Sequence, residues 1–340
     1  MSNPKTSKKR KYAANYFFIA DEIIEKYKSN SIVTMQFFQR KENAILAGMN
    51  EALDFLKENT DISKYKIKYL PEGTKIKALE PVLELEGHYK DFGIFEGVID
   101  GILARSTSIA TNAWECKEAA NGKDVIYMGD RGDHYINQEI DGHAVEVGGL
   151  VGHSTMAGSR GNEEVVFGSI PHALIQHFDG NIVEAMEAYK NVFPNEKDLV
   201  ALVDFSNDVI KDSLAVLKVL GKQLNGVRID TSKNMIDHMF DNEQDKEKYK
   251  GVNPEQIKRL RKALDENGGK HVRIIVSSGF TPEKISMFEK EKTPVDAYGV
   301  GEYILKINIG FTCDAVRNDG KEIAKEGRGY RNNPKLIDFN

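Results

Sequence analysis

Four times in the second half of this chain, a short β-branched run stops on charged, hydroxyl or glycine residues, and this repetition constrains the fold more than any other feature. Leu199-Val200-Ala201-Leu202-Val203 runs into Asp204, and Gly226-Val227-Arg228-Ile229 runs into Asp230-Thr231. Arg273-Ile274-Ile275-Val276 leads to Ser277-Ser278-Gly279, and Val295-Asp296-Ala297-Tyr298 to Gly299-Val300-Gly301. Helical patterns follow at 208–222, 254–266, 282–290 and 302–307. Strands alternating with helices imply parallel β/α units, whose strands are buried on both faces and therefore read as near-continuous apolar runs. Charge at the C-terminal tip of such a strand lies where α/β folds place their ligands. Arg228 and Asp230 stand two residues apart and so project to one face of their strand. They are either site residues or a structural ion pair that caps the strand.

The middle of the chain adds three more units of this kind. Val125 to Met128 precedes Gly129-Asp130-Arg131-Gly132-Asp133, Gly148 to Gly152 precedes His153-Ser154-Thr155, and Val165 to Phe167 precedes Gly168-Ser169-Ile170-Pro171-His172. Seven units predict an irregular or incomplete β/α barrel over residues 121–308. The N-terminal third reads differently. Helices are expected at 14–27, 44–56 and 91–120, a strand at 31–38, and several short antiparallel strands between Tyr65 and Tyr89. Within 14–27, Tyr16, Phe17, Ile19, Ala20, Ile23 and Ile24 favour one face, where Tyr16 would be an ordinary core residue. Near the C-terminus, 311–324 reads as a hairpin turning at Asn318-Asp319-Gly320, and it is expected to join the N-terminal sheet. A smaller α/β sandwich domain would then be built from both chain ends, residues 1–120 and 309–340, with 1–12 a disordered basic tail.

Composition sets the outer bounds. The 340 residues are 40% hydrophobic, enough for a large core, and no apolar run approaches the 18 to 20 residues of a membrane span. The basic N-terminus lacks the apolar segment of a secretory signal, which leads us to expect a cytoplasmic protein without membrane partners. Cys116 and Cys313 are far apart and unpaired in pattern, which argues against thiolate-held metal or a disulfide framework. A net charge of −5 argues against nucleic acid as a partner.

Neither a P-loop nor a complete dinucleotide fingerprint is present. Backbone N–H groups at Ser277-Ser278-Gly279 and at Gly299-Val300-Gly301 can meet a phosphate. Asp204 and Asp230 suit ribose hydroxyls or magnesium, and Arg131 and Arg228 suit anionic groups. His172 is either a helix-start or core histidine or a reactive group at a strand tip. The residues by themselves point to an enzyme acting on a phosphorylated sugar.

Taken together, Gly168-Ser169-Ile170-Pro171-His172-Ala173, Leu202-Val203-Asp204, Gly226-Val227-Arg228-Ile229-Asp230, Val276-Ser277-Ser278-Gly279 and Tyr298-Gly299-Val300-Gly301 closely resemble the nicotinate phosphoribosyltransferase family, which has the type II phosphoribosyltransferase fold. Phe37-Phe38-Gln39-Arg40, Glu80-Pro81-Val82-Leu83, Leu103 to Ser108 and Lys325-Glu326-Gly327-Arg328 resemble further landmarks of the family, in the same order along nearly the whole chain. The resemblance implies that nicotinate and phosphoribosyl diphosphate react to give nicotinate mononucleotide and diphosphate, with Mg²⁺ bound mainly through the diphosphate rather than through protein side chains, and with coupled hydrolysis of ATP as co-substrate. It implies catalytic roles for His172, as phosphoryl acceptor, and for Asp204, Arg228 and Asp230. Arg131 would pair with the nicotinate carboxylate, with Ser154, Thr155 and Arg105 also contacting substrate, and Ser277, Ser278, Gly279, Gly299 and Gly301 would bind the 5-phosphate. Tyr16 resembles the aromatic that stacks on the pyridine across a homodimer interface. Two departures stand out: Met128 and Gly129-Asp130 occupy the place where relatives put an aromatic before the substrate arginine, and the chain ends without a cysteine-bearing extension. A relative using nicotinamide or quinolinate, or a non-catalytic metabolite-binding barrel, is the alternative.

Overall fold

A computed structural model of the protein describes residues 4–196 and 198–339. It divides into two compact units, 1–111 with 306–340 and 112–305, where the sequence placed the divisions at 120/121 and 308/309. The basic segment expected as a disordered tail is ordered over its described part. Lys8–Tyr12 form a 3-10 turn capped by Ser7, whose Oγ also donates to Asn59 Oδ1 at 2.6 Å. Residues 1–3 of that expected tail lie outside the described residues.

Along the chain, the first unit contributes α1 (Asn15–Tyr27), β1 (Val33–Gln39), β2 (Ala44–Ile45), α2 (Met49–Asn59), β3 (Lys66–Tyr69), β4 (Lys75–Ile76), β5 (Leu83–Gly87) and most of α3 (Glu96–Ala119). The helix expected from residue 44 begins five residues later. Gly48 sits in the left-handed region at φ 82°, which ends the extended segment, and a Cβ there would lie 2.9 Å from the Ser106 Cβ of α3. The expected single apolar face of α1 is also split. Phe17 is buried against the core, whereas Tyr16, Ile19 and Ile23 are exposed.

The second unit holds β6 (Asp124–Tyr127), α4 (Gln138–Val147), β7 (Gly152–His153), α5 (His172–His177), α6 (Ile182–Val192), β8 (Val200–Leu202), α7 (Val209–Leu220), β9 (Gly226–Ile229), α8 (Pro254–Glu266), β10 (Arg273–Val276), α9 (Pro282–Lys290) and β11 (Ala297–Val300). Its strands pair in the order β7-β6-β11-β10-β9-β8, all in parallel, as a curled and open half-barrel. The seventh expected strand shrinks to a single parallel bridge between Val166 and His153. Helix starts follow local chemistry. Asp208, Asn253 and Thr281 each accept a backbone N–H of the first turn, and Pro254 and Pro282 take the position whose N–H would have no helical partner. The helix expected over 302–307 is replaced by a turn, Ile304 N–H closing on Gly301 C=O at 3.1 Å.

The chain then completes the first unit with β12 (Phe311–Asn318), β13 (Lys321–Glu322) and β14 (Ile337–Asp338). Asp319 and Gly320 form the two-residue hairpin turn, both at positive φ as a type I′ turn requires. β12 pairs along the whole of β1 and β14 pairs with β3, giving the antiparallel order β13-β12-β1-β5-β3-β14. Both chain ends therefore share one sheet, over a core that includes Phe37, Leu46, Met49, Leu56 and Phe95.

Candidate active site

Strand register decides which side chains meet in the second unit. Leu202 lies beside Arg228 and Arg228 beside Ile275, Ile275 pairs with Ala297, and Gly299 pairs with Ile126. Neighbours in register share a face, so Ile126, Val200, Ile275 and Ala297 form an apolar floor on the concave side, against which Met128 and Phe167 pack. Level with Ile275 and Ala297, the same face carries Arg228, and Gly299 stands one step further toward the strand tips. Beyond Arg228 come Asp204, Asp230 and Ser277, with Ser154 following β7.

The tip residues are held in place. Ser277 Oγ donates to Asp230 Oδ1 at 2.8 Å, and its backbone N–H donates to Ile229 C=O at 2.9 Å. Asp204 is nearly buried, with 7% of its side chain exposed, and it lies 3.2 Å from Nε2 of the half-exposed His172. Burial pushes the Asp204 carboxyl above its usual range; His172 opposes the shift and the nearby Asp230 adds to it. Asn207, at φ 55°, ties the β8 and β9 tip loops together, because its side-chain amide donates to Ile236 C=O at 2.6 Å and its carbonyl accepts the His238 N–H. Asp237, which accepts from the Val209 and Met239 amides and from Gln256, anchors the same loops.

Arg228 and Asp230 do not form the structural ion pair that the sequence left open. Arg228 is half buried, its Nε has no partner, and its nearest hydrogen-bonding neighbour among the described residues is the Met128 sulfur, 3.9 Å from a terminal nitrogen. Such a cation calls for an anion from outside the chain. Arg131 is exposed in the loop after β6. Thr155 Oγ1 is committed to accepting the Gly158 N–H at 3.0 Å, and the Ser154 N–H donates to Tyr127 C=O at 3.0 Å. Tyr16 and Arg105 belong to the first unit, on α1 and α3.

The two glycine-rich tips differ. Ser278 and Gly279 are both left-handed, at φ 77° and 67°, and their N–H groups have no acceptor among the described residues. Two adjacent amides left unengaged by the chain at a strand tip are free to meet a ligand oxygen. At the β11 tip neither glycine is left-handed, and no helix follows to lend its dipole. A Cβ on Gly299 would meet Met128 Sδ at 2.5 Å and one on Gly301 the Met128 carbonyl at 2.3 Å, so close packing on the end of β6 accounts for both glycines. The sequence reading passed over Lys284 on α9, whose Nζ donates to Ser278 C=O at 3.2 Å. Its signal was present: a cation in the first turn of a helix opposes the macrodipole.

Several relatives share this architecture. Residues 17–107 match the family described as quinolinate phosphoribosyl transferase, N-terminal domain. A solved nicotinate-nucleotide pyrophosphorylase from Pyrococcus furiosus is 31% identical and superposes with a TM-score of 0.82 over 97% of this chain and 81% of its own. A human nicotinic acid phosphoribosyltransferase, 16% identical, shares the fold with a TM-score of 0.70 over 92% of this chain and 76% of its own. A nicotinate phosphoribosyltransferase of Bacillus subtilis is 24% identical over 84% of this chain, and one of Mycobacterium tuberculosis, pncB2, is 25% identical over 76%. The chain spans 62% and 51% of the lengths of those two relatives. An open parallel half-barrel with an antiparallel sheet made from both chain ends is the architecture of the type II phosphoribosyltransferases. The chain belongs to the nicotinate phosphoribosyltransferase family within that class.

Proposed function

We propose that this protein is a nicotinate phosphoribosyltransferase, which forms nicotinate mononucleotide and diphosphate from nicotinate and phosphoribosyl diphosphate, with coupled ATP hydrolysis, in NAD biosynthesis. The observation that carries this reading is Arg228, a half-buried guanidinium without an acidic partner, beside two carboxylates on the same concave face. In the reaction the pyridine nitrogen bonds to the anomeric carbon while the bond from that carbon to the diphosphate oxygen breaks, and its electron pair leaves with diphosphate. Positive charge grows on the sugar and negative charge on the leaving group. Arg228 is suited to the second, and Asp230, fixed by Ser277, to holding ribose hydroxyls beside the first. Arg131 takes the nicotinate carboxylate as a charge-assisted pair.

Asp204 and Asp230 are close enough for one carboxylate to raise the other, the setting in which a hard divalent cation is welcome. Asp204 and Asp230 would help to hold Mg²⁺ brought in with the donor's diphosphate, and the ion would supply positive charge against the leaving group. For ATP coupling, Asp204 orients His172: with Nε2–H given to Asp204, Nδ1 is the nitrogen left to attack the γ-phosphorus, and ADP departs as the new P–N bond forms.

A second chain completes the site in this reading. Tyr16 is 65% exposed, and Ile19, Ile23 and Tyr27 continue its stripe along α1, an apolar helix face of the kind that another copy covers. Arg228→Ala and Asp230→Asn should each lower turnover on the order of 100- to 1,000-fold in folded protein. Mixing Asp230→Asn chains with Tyr16→Ala chains should restore activity, since half of the sites in a mixed dimer would be intact. Near-normal activity in either strand-tip variant contradicts the catalytic assignment. No recovery on mixing, with subunit exchange verified by mass spectrometry, contradicts the shared site.

A further inference from the structure

The ammonium of Lys284 is half buried, lies 4.3 Å from the centroid of the Phe280 ring, and has the Ser278 carbonyl as its hydrogen-bond acceptor, with no carboxylate partner among the described residues. The carboxylates of neighbouring elements are engaged elsewhere. Asp230 is held by Ser277, Glu289 by Lys123 and Tyr298, and Glu283 acts on Cys116 and Tyr303.

The carbonyl that Lys284 holds belongs to the peptide between Ser278 and Gly279. In a trans peptide the C=O and the following N–H point in opposite directions, so fixing Ser278 C=O toward Lys284 aims Gly279 N–H away from it. Without the lysine this peptide is free to rotate about ψ of Ser278 and φ of Gly279, which withdraws the amide. We propose that Lys284 is a positioning residue that pins the Ser278–Gly279 peptide so that Gly279 N–H meets the 5-phosphate of the sugar substrate.

The inference rests on the phosphoribosyl reading of the site, and its consequences are separable from it. Burial, with no charged neighbour contributing, lowers the Lys284 ammonium to about 8. The phosphate monoester is already a dianion above pH 7, so affinity for it should fall as pH rises through 8 and the lysine discharges. The experiment is calorimetric titration of the full-length protein with ribose 5-phosphate and with ribose, from pH 7 to 9.5, for the wild type, Lys284→Met and Lys284→Arg. We expect Lys284→Met to weaken ribose 5-phosphate binding by about tenfold or more and to flatten its pH dependence, while ribose binding is unchanged. Lys284→Arg should restore affinity without the decline above pH 8. In turnover, Lys284→Met should raise the KM for the phosphoribosyl donor more than it lowers kcat. Lys284→Met binding within twofold of wild type, equal losses for ribose and its phosphate, or a wild-type profile flat across pH 8 would each overturn the role of Lys284. If wild-type protein binds ribose 5-phosphate no better than ribose, the phosphoribosyl reading itself is contradicted.

Discussion

An arginine on a buried strand costs free energy unless an anion meets it, and Arg228 meets a sulfur. That residue, with Asp230 and Asp204, was legible in the sequence because period-two alternation and strand-end position together fix both face and depth. The sequence left open whether Arg228 and Asp230 pair with each other, which depends on side-chain direction and on where Ser277 stands. Lys284 was missed because its partner is a backbone carbonyl, and carbonyls carry no residue-type signal. The His172–Asp204 contact joins residues 32 apart, and tertiary packing alone supplies it. For His172, substitution by alanine should uncouple the reaction: ATP is no longer hydrolysed during turnover, yet slow nucleotide synthesis persists at high phosphoribosyl diphosphate. Product-coupled assays of ADP and of nicotinate mononucleotide check this. Parental ATP hydrolysis in His172→Ala would remove the histidine from that role.

Among the elements, α7, α8 and α9 were readable to within two residues at either end because their caps and prolines are local chemistry. The helix expected after Gly301 was not, since the pair of glycines signals close packing on Met128 rather than a helix start. Helix α3 carries a property invisible to pattern. Glu96 and Asp100 lie one turn apart, both half buried near Asp314 on β12, and burial first, then repulsion from Asp314 and, for Glu96, from Asp100, pushes each up to about 7. An acid whose folded pKa is raised binds more protons in the folded than in the unfolded state between the two values. Its contribution to stability is full below the unfolded value, about 4, and is lost as pH rises through 7. Chemical denaturation across pH 4 to 8 should therefore show stability falling with pH, with a shallower slope in Glu96→Gln and Asp100→Asn. An unchanged slope in both variants would place the dependence elsewhere.

At the scale of the whole chain, the alternation of apolar runs and helices announced the half-barrel, and the hairpin at Asp319-Gly320 announced that the C-terminal strands return to the N-terminal sheet. What could not be read was the seventh strand's reduction to one bridge, because residues 163–171 contain too few apolar positions to distinguish a strand from an extended loop. The choice of pyridine lies at the same scale, since relatives named for nicotinate and a family named for quinolinate share this architecture. One steady-state measurement tests the central claim most directly: purified protein with phosphoribosyl diphosphate and Mg²⁺, given nicotinate, nicotinamide or quinolinate in turn, each with and without ATP, and product nucleotide resolved by chromatography. The account predicts nicotinate mononucleotide from nicotinate, faster with ATP and accompanied by ADP, and little product from the other two bases. Efficient conversion of quinolinate or nicotinamide in its place, or no nucleotide from any of the three, would contradict it.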